Sequence, residues 1–134
     1  MKDTAEISDA ALERIIPLFY ARVRQDAELG PIFDDAISDW PAHLEKLVAF
    51  WSSVMLTSGR YKGNPVHAHA MHRDRMTPAL FDRWLALWRD VTDENLSPVV
   101  AAALQAKAAR IAESLKLALF FKLEPASTAG RAAA

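Results

Sequence analysis

The chain has no cysteine. This excludes a disulfide framework, a zinc–thiolate site, an iron–sulfur cluster and thioether attachment of a porphyrin through a Cys-x-x-Cys-His motif, so any cofactor must be held by other ligands. Charge of one sign is also missing. Sixteen lysines and arginines stand against 17 acidic residues, which leaves no electrostatic case for nucleic acid or an anionic membrane as the main partner. No apolar run approaches the length of a membrane span, and the charged start Met1-Lys2-Asp3-Thr4-Ala5-Glu6 leads into nothing of signal-peptide type. The cytoplasm is therefore the expected location. Glycine is scarce, and Gly30, Gly59, Gly63 and Gly130 are all isolated. With no glycine-rich turn there is no flavin or nicotinamide fingerprint. No segment alternates with period two over a useful length, so the expected fold class is all-α. The 134 residues, 51% of them hydrophobic, suffice for one domain around one core.

At helical spacing Leu12, Ile15, Ile16, Phe19, Tyr20 and Val23 form one stripe, with Ser8 or Asp9 as its cap. Pro17 lies inside it and must either kink the helix or open a second one, because proline lacks the amide donor and clashes with the preceding turn. Leu29-Gly30-Pro31-Ile32-Phe33 breaks the pattern and reads as a tight corner ending on an aromatic. A second helix starts near Asp39-Trp40-Pro41, carries Leu44, Leu47, Val48, Trp51, Val54 and Met55 on its apolar face, and ends before Ser58-Gly59. From there to His72 a long loop is expected, with at most two helical turns, and loops of that length in compact domains usually serve a function. Thr77-Pro78 and Ser97-Pro98 are cap-plus-proline starts. The first opens a helix carrying Leu80, Phe81, Trp84, Leu87, Trp88 and Val91. The second carries Val100, Leu104, Ala108, Ile111, Leu115 and Leu119. The small residues from 124 to 134, with Pro125 and Gly130, read as a disordered tail.

Three polar groups interrupt these buried stripes. Tyr20 continues the first, Trp84 lies among leucines, and His43 shares the inward face of Leu47 and Trp51. Buried hydroxyl, indole and imidazole groups each need a hydrogen-bond partner. Any one of them could be satisfied by a backbone carbonyl, but three together point to a shared polar pocket. The remaining histidines fall in Asn64-Pro65-Val66-His67-Ala68-His69-Ala70-Met71-His72. If Asn64 caps a short helix, Val66, His69 and Ala70 lie on one face, while His67 is roughly 200° away from His69 and points outward. A single-helix cage of three histidines is thus disfavoured, since such ligands must converge on one point. If one histidine faces the core, it is His69. Opposed to His43 across an apolar space, it invites a flat apolar cofactor carrying iron.

These residues resemble the truncated haemoglobins, and within them the third group, over about residues 7–119. The matching stretches are Phe19-Tyr20-Ala21-Arg22-Val23-Arg24-Gln25-Asp26, Leu29-Gly30-Pro31-Ile32-Phe33, Trp40-Pro41-Ala42-His43, Phe50-Trp51, Tyr61-Lys62-Gly63-Asn64-Pro65 leading to His69, and Phe81-Asp82-Arg83-Trp84-Leu85. The glycine pairs typical of the first two groups are absent here, which fits the third. The resemblance implies a globin-like two-over-two helical sandwich over residues 1–123 around a non-covalent haem b. It implies His69 as the proximal iron ligand, with His72 the substitute if the register shifts. Tyr20, His43 and Trp84 correspond to the distal ligand pocket, and Phe33 to an aromatic packed on the porphyrin. Leu47, Phe50, Trp51 and Tyr61, with Trp84, complete the cofactor-binding set.

The implied activity is reversible binding of O2, CO or NO at a five-coordinate ferrous iron, with Tyr20 and Trp84 each donating to the bound ligand. Slow O2 release follows from two such donors, and suits nitric oxide dioxygenation or peroxide reduction better than transport. A dioxygenase would need a separate reductase. A peroxidase would need a carboxylate on the proximal histidine, for which Asp74 is the nearest in sequence. His43 is either a third donor or a gate for ligand entry. Arg60, Lys62, His72 and Arg73 are candidate partners of the haem propionates. A monomer is expected, since no extensive apolar surface beyond the pocket is evident. The competing class is a non-haem helical module for interaction, or for metal binding through His69 and His72.

Overall fold

The long helices begin where a side-chain oxygen stands ready to accept an orphan amide. In a computed structural model, which describes residues 7–70 and 75–120 apart from the side chains at 67, 68 and 70, Ser8 Oγ accepts from the Ala11 N–H at 3.1 Å and opens α1 (Asp9–Gln25). Asp39 accepts from Ala42 at 3.1 Å and opens α3 (Trp40–Leu56). Thr77 accepts from Leu80 at 3.3 Å before α5 (Pro78–Asn95), and Ser97 from Val100 at 3.4 Å before α6 (Pro98–Phe120). The cap-plus-proline reading of these starts holds.

α1 runs unbroken through Pro17, so no second helix opens there. Pro17 is exposed, and so is Glu13, whose carbonyl loses its helical donor; that carbonyl faces solvent, where water can serve it. The expected corner at Leu29–Phe33 is instead a short helix, α2 (Gly30–Ala36), with Pro31 in its first turn. Asp26 makes this possible. Its carboxylate accepts the Glu28 and Leu29 amides at 3.1 and 3.0 Å and also binds Arg83 of α5. Gly30 then passes so close under the end of α1 that a Cβ would stand 2.5 Å from the Arg24 carbonyl oxygen.

α3 stops at Leu56, with Thr57 in the left-handed region at φ 58°. The loop that follows is stitched back to its neighbours. Ser52 and Ser58 join hydroxyls at 2.8 Å, the Tyr61 N–H donates to Ser53 Oγ at 2.8 Å, and Arg60 reaches Asp9 at 2.9 Å. The loop ends at α4 (Pro65–Ala70).

α1 packs on α3 and α5, α5 on α6, α2 on α1, and α4 on α6. The pair α1–α3 thus lies over the pair α5–α6, a two-over-two sandwich, and the described residues contain no strand. The α1 stripe sits in the middle: Leu12, Ile15, Ile16, Phe19 and Val23 are fully buried, together with Trp51, Trp88, Val91 and Leu104. Each large apolar side chain so placed contributes about 1.5–3 kcal/mol relative to exposure. A second cluster, Phe81, Ala112, Leu115 and Leu119, closes the far end of α5 and α6. Among the described residues no helix is long and apolar enough to cross a membrane. The residues of the expected tail, 124–134, lie outside those described.

Candidate functional site

The stripe that builds the core also carries Tyr20, and α1 delivers its hydroxyl beside the indole of Trp84 from α5. Tyr20 is 4% exposed and is ringed by Phe19 at 4.7 Å, Phe33 at 5.8 Å, Trp40 at 6.1 Å and His43 at 6.4 Å between centroids. The Trp84 indole acts on the Tyr20 oxygen as a donor and lowers the proton affinity of the phenol. An indole N–H only donates, so the Tyr20 oxygen must accept and its own proton remains available. Burial pushes the phenol up to about 12, further than the Trp84 bond lowers it. Tyr20 is therefore a neutral donor throughout the physiological range. Trp84 is held in turn by an edge contact with Phe19 at 5.6 Å and a parallel stack on Trp88 at 6.1 Å.

His43 stands one turn before Leu47 on the inner side of α3, half-buried. Burial first, and then the charges of Lys46 and His69, hold its imidazole below the usual histidine value. The effect of His69 places the two imidazoles within electrostatic reach of each other. Outside His43 lies an open cavity of about 200 Å³ whose lining includes Ile37, Asp39, His43 and Lys46. The far side of Tyr20 is closed by Trp40, with Arg24 and Asp34 behind it. The Arg24 guanidinium lies 4.5 Å from the Trp40 ring, and both Arg24 Nε and the Trp40 indole donate to Asp34, at 3.0 and 3.3 Å. A sequence signal existed for Arg24, which is four residues after Tyr20 and so on its helical face. Asp34 carried none.

His69 comes from α4 and is half-buried. Its Nδ1 lies 2.7 Å from the Pro65 carbonyl oxygen, one turn back. A carbonyl can only accept, so Nδ1 carries a proton, and in the neutral imidazole Nε2 then keeps its lone pair, the tautomer a metal-ligating imidazole needs. Proline at 65 suits this place, since the first helical position needs no amide donor.

The other expected residues fall at different depths. Phe33, Leu47, Phe50 and Tyr61 are half-buried, with Phe33, Leu47 and Phe50 packed against the edge of the core. Trp51 is 2% exposed and lies behind Phe50, stacked on Trp88 at 4.8 Å. The Arg60 guanidinium is engaged by Asp9, and Lys62 is exposed. His72, Arg73 and Asp74 lie outside the described residues, as does the side chain of His67. Among the described residues no group of three or more His, Cys, Asp or Glu side chains could hold a metal ion. The chemistry gathered here is thus one imidazole with a free lone pair, half-buried apolar and aromatic walls, and a neutral hydroxyl donor.

No family model matches the chain. Two similarities are extensive. The group 3 truncated hemoglobin Ctb of Campylobacter jejuni is 30% identical over 107 residues, 74% of this chain and 84% of that protein. The crystal structure of a group III truncated hemoglobin from Campylobacter jejuni superposes with a TM-score of 0.80 at 28% identity, covering 92% of this chain and all of the other. With 30% identity over most of both chains and a superposition that covers 92% of this one, the chain belongs to the group 3 truncated haemoglobins.

Proposed function

We propose that the protein binds a non-covalent haem b through His69 and uses it for reversible capture of O2, CO or NO, with Tyr20 as the donor to the captured ligand. The observation that carries this reading is the 2.7 Å contact from His69 Nδ1 to the Pro65 carbonyl, which in the neutral imidazole leaves the Nε2 lone pair for a metal. When bound, haem supplies an iron that takes up diatomic ligands reversibly. The protein supplies everything that selects among them. Phe33, Leu47, Phe50 and Tyr61 offer the apolar and aromatic surface that a porphyrin requires, and Trp51 backs that wall from the core. The Tyr20 hydroxyl, neutral and oriented by Trp84, donates to a ligand that carries partial negative charge. His43 stands between that pocket and the outer cavity, where it controls entry.

The partner of His69 is a neutral carbonyl rather than a carboxylate, which favours ligand binding over rapid peroxide cleavage. Slow release suits chemistry on the captured ligand, such as nitric oxide dioxygenation, and that role requires a separate reductase to return the iron to the ferrous state. The test is the visible spectrum of the purified protein, oxidised, reduced and reduced with carbon monoxide, beside a His69→Ala variant. An intense Soret band that shifts with carbon monoxide and is lost or altered in the variant is the expected result. A protein that stays colourless after added haemin would overturn the reading.

A further inference from the structure

A helical side chain leans back over the turn that precedes it. Trp40 is the first residue of α3 and has no such turn, so other elements must hold its ring. Asp34 of α2 accepts the indole N–H at 3.3 Å, and the Arg24 guanidinium of α1 lies 4.5 Å from the ring centroid. Arg24 Nε closes the triangle by donating to Asp34 at 3.0 Å. One half-buried ring is thus fixed from two other helices. The bond from Trp40 to Asp34 also ties together the ends of the segment 34–40, and four residues within it, Ala36, Ile37, Ser38 and Asp39, line the cavity outside His43.

The clamped ring bears on the gate. Trp40 meets the His43 imidazole, about one turn further along α3, at 5.7 Å and 87°, and the same imidazole meets Tyr20 at 6.4 Å and 87°. Leaving this seat costs the imidazole both edge contacts. We propose that Trp40 is a positioning residue for ligand entry: clamped by Asp34 and Arg24, it holds His43 closed over the pocket. The proposal rests on the reading of His43 as the gate and names what sets its opening.

Folding does not require the triangle. The Arg24 and Asp34 side chains are 47% and 49% exposed, and ion pairs at such exposure contribute little to stability. Removing Asp34 therefore leaves the buried stripe of α1 in place and frees the Trp40 ring. Loss of one edge contact between rings from the closed state shifts the ratio of closed to open about two- to tenfold. Where the closed state predominates, only the open fraction admits a ligand, and association speeds up by the same factor.

The test measures carbon monoxide association by flash photolysis in the haem-loaded wild type, Asp34→Ala, Trp40→Leu and His43→Ala, and in the two doubles that add His43→Ala to each of the others. Haem content, Soret band and thermal midpoint are recorded first for each. The expected result is that Asp34→Ala and Trp40→Leu each speed association about two- to tenfold, and that neither adds anything once residue 43 is alanine. A residue that merely keeps the pocket in shape would speed association in both backgrounds, so equal acceleration with and without the imidazole overturns the proposal. A rate equal to wild type in Asp34→Ala or in Trp40→Leu overturns it too. Asp34→Ala alters a single exposed side chain and decides alone if Trp40→Leu takes up no haem. Failure of the parent reading looks different: a wild type that takes up no haem, or a His43→Ala rate equal to wild type, removes the gate itself and the proposal with it.

Discussion

Replacing Tyr20 by Phe and Trp84 by Phe, singly and together, asks whether the pocket holds two ligand donors or one donor with a support. Taken separately, each group would donate to the ligand, and their effects on O2 release would multiply. The structure couples them: the Trp84 indole acts as a donor on the Tyr20 oxygen, and a donor engaged with that oxygen acts on the ligand through it. A hydrogen bond to a ligand bearing negative charge contributes about 1.5–3 kcal/mol, so Tyr20→Phe should speed O2 release roughly ten- to hundredfold, at about 1.4 kcal/mol per decade. Trp84→Phe preserves a ring against Phe19 and Trp88 and removes only the N–H. Its loss withdraws the polarisation of the Tyr20 hydroxyl, about 10–30% of one bond, and should speed release by less than about fivefold. In the double variant release should match Tyr20→Phe alone. Stopped-flow displacement of O2 by carbon monoxide in the haem-loaded proteins measures all four rates. A double variant whose acceleration equals the product of the two singles would mean that Trp84 holds the ligand itself, and an unchanged rate in Tyr20→Phe would refute the polar pocket altogether.

Four further outcomes are expected. His43→Ala should raise the carbon monoxide association rate, because the half-buried imidazole stands between the pocket and the outer cavity; an unaltered rate would end the gating role. Since burial, Lys46 and His69 depress its affinity for protons, His43 is neutral at pH 7, and the folded state binds fewer protons than the unfolded one. Stability at this site should therefore be intact above the unfolded value near 6.5 and decline as pH falls through the lower folded value, a trend that acid titration of denaturant midpoints should lose in His43→Ala. Gly30→Ala would drive a methyl against the Arg24 carbonyl, a backbone atom that cannot swing away, and overpacking of this kind costs about 1–3 kcal/mol; calorimetry that found no drop in midpoint would show that α2 can shift. Asp26 is held below the usual carboxylate range by Arg83 first and by the Leu29 and Glu28 amides. Its contribution is therefore present above the unfolded carboxylate value and lost as pH falls through the folded one, so Asp26→Asn should lower the thermal midpoint at pH 7 and narrow the gap from wild type in acid.

The starts of the long helices were legible because a cap is a local device. Ser8, Asp39, Thr77 and Ser97 each reach an amide three residues ahead, and nothing distant is needed. α2 was not legible for the opposite reason. Pro31 and Gly30 look like a corner until Asp26 is seen to hold the Glu28 and Leu29 amides while Arg83, from α5, holds Asp26. That anchor is made across the fold, and no window of neighbouring residues contains it.

The candidate site divides along the same line. That Tyr20, His43 and Trp84 face inward follows from helical spacing, and so does the exclusion of a three-histidine cage, since 100° per residue cannot bring His67 and His69 together. What spacing cannot give is the direction of a hydrogen bond between helices. The placement of Trp84 beside the Tyr20 oxygen depends on how α1 crosses α5, and whether the two act as independent donors or as one polarised hydroxyl is what the double variant decides. A buried hydroxyl with no partner would cost about 1–3 kcal/mol. Trp84 offsets that cost by occupying the oxygen, and because indole cannot accept, it leaves the Tyr20 proton for something else. The same asymmetry recurs at His69, where the Pro65 carbonyl can only accept and so leaves Nε2 bare. On both sides of the site a partner limited to one role satisfies half of a two-sided group, and the other half is what a metal or its ligand would find.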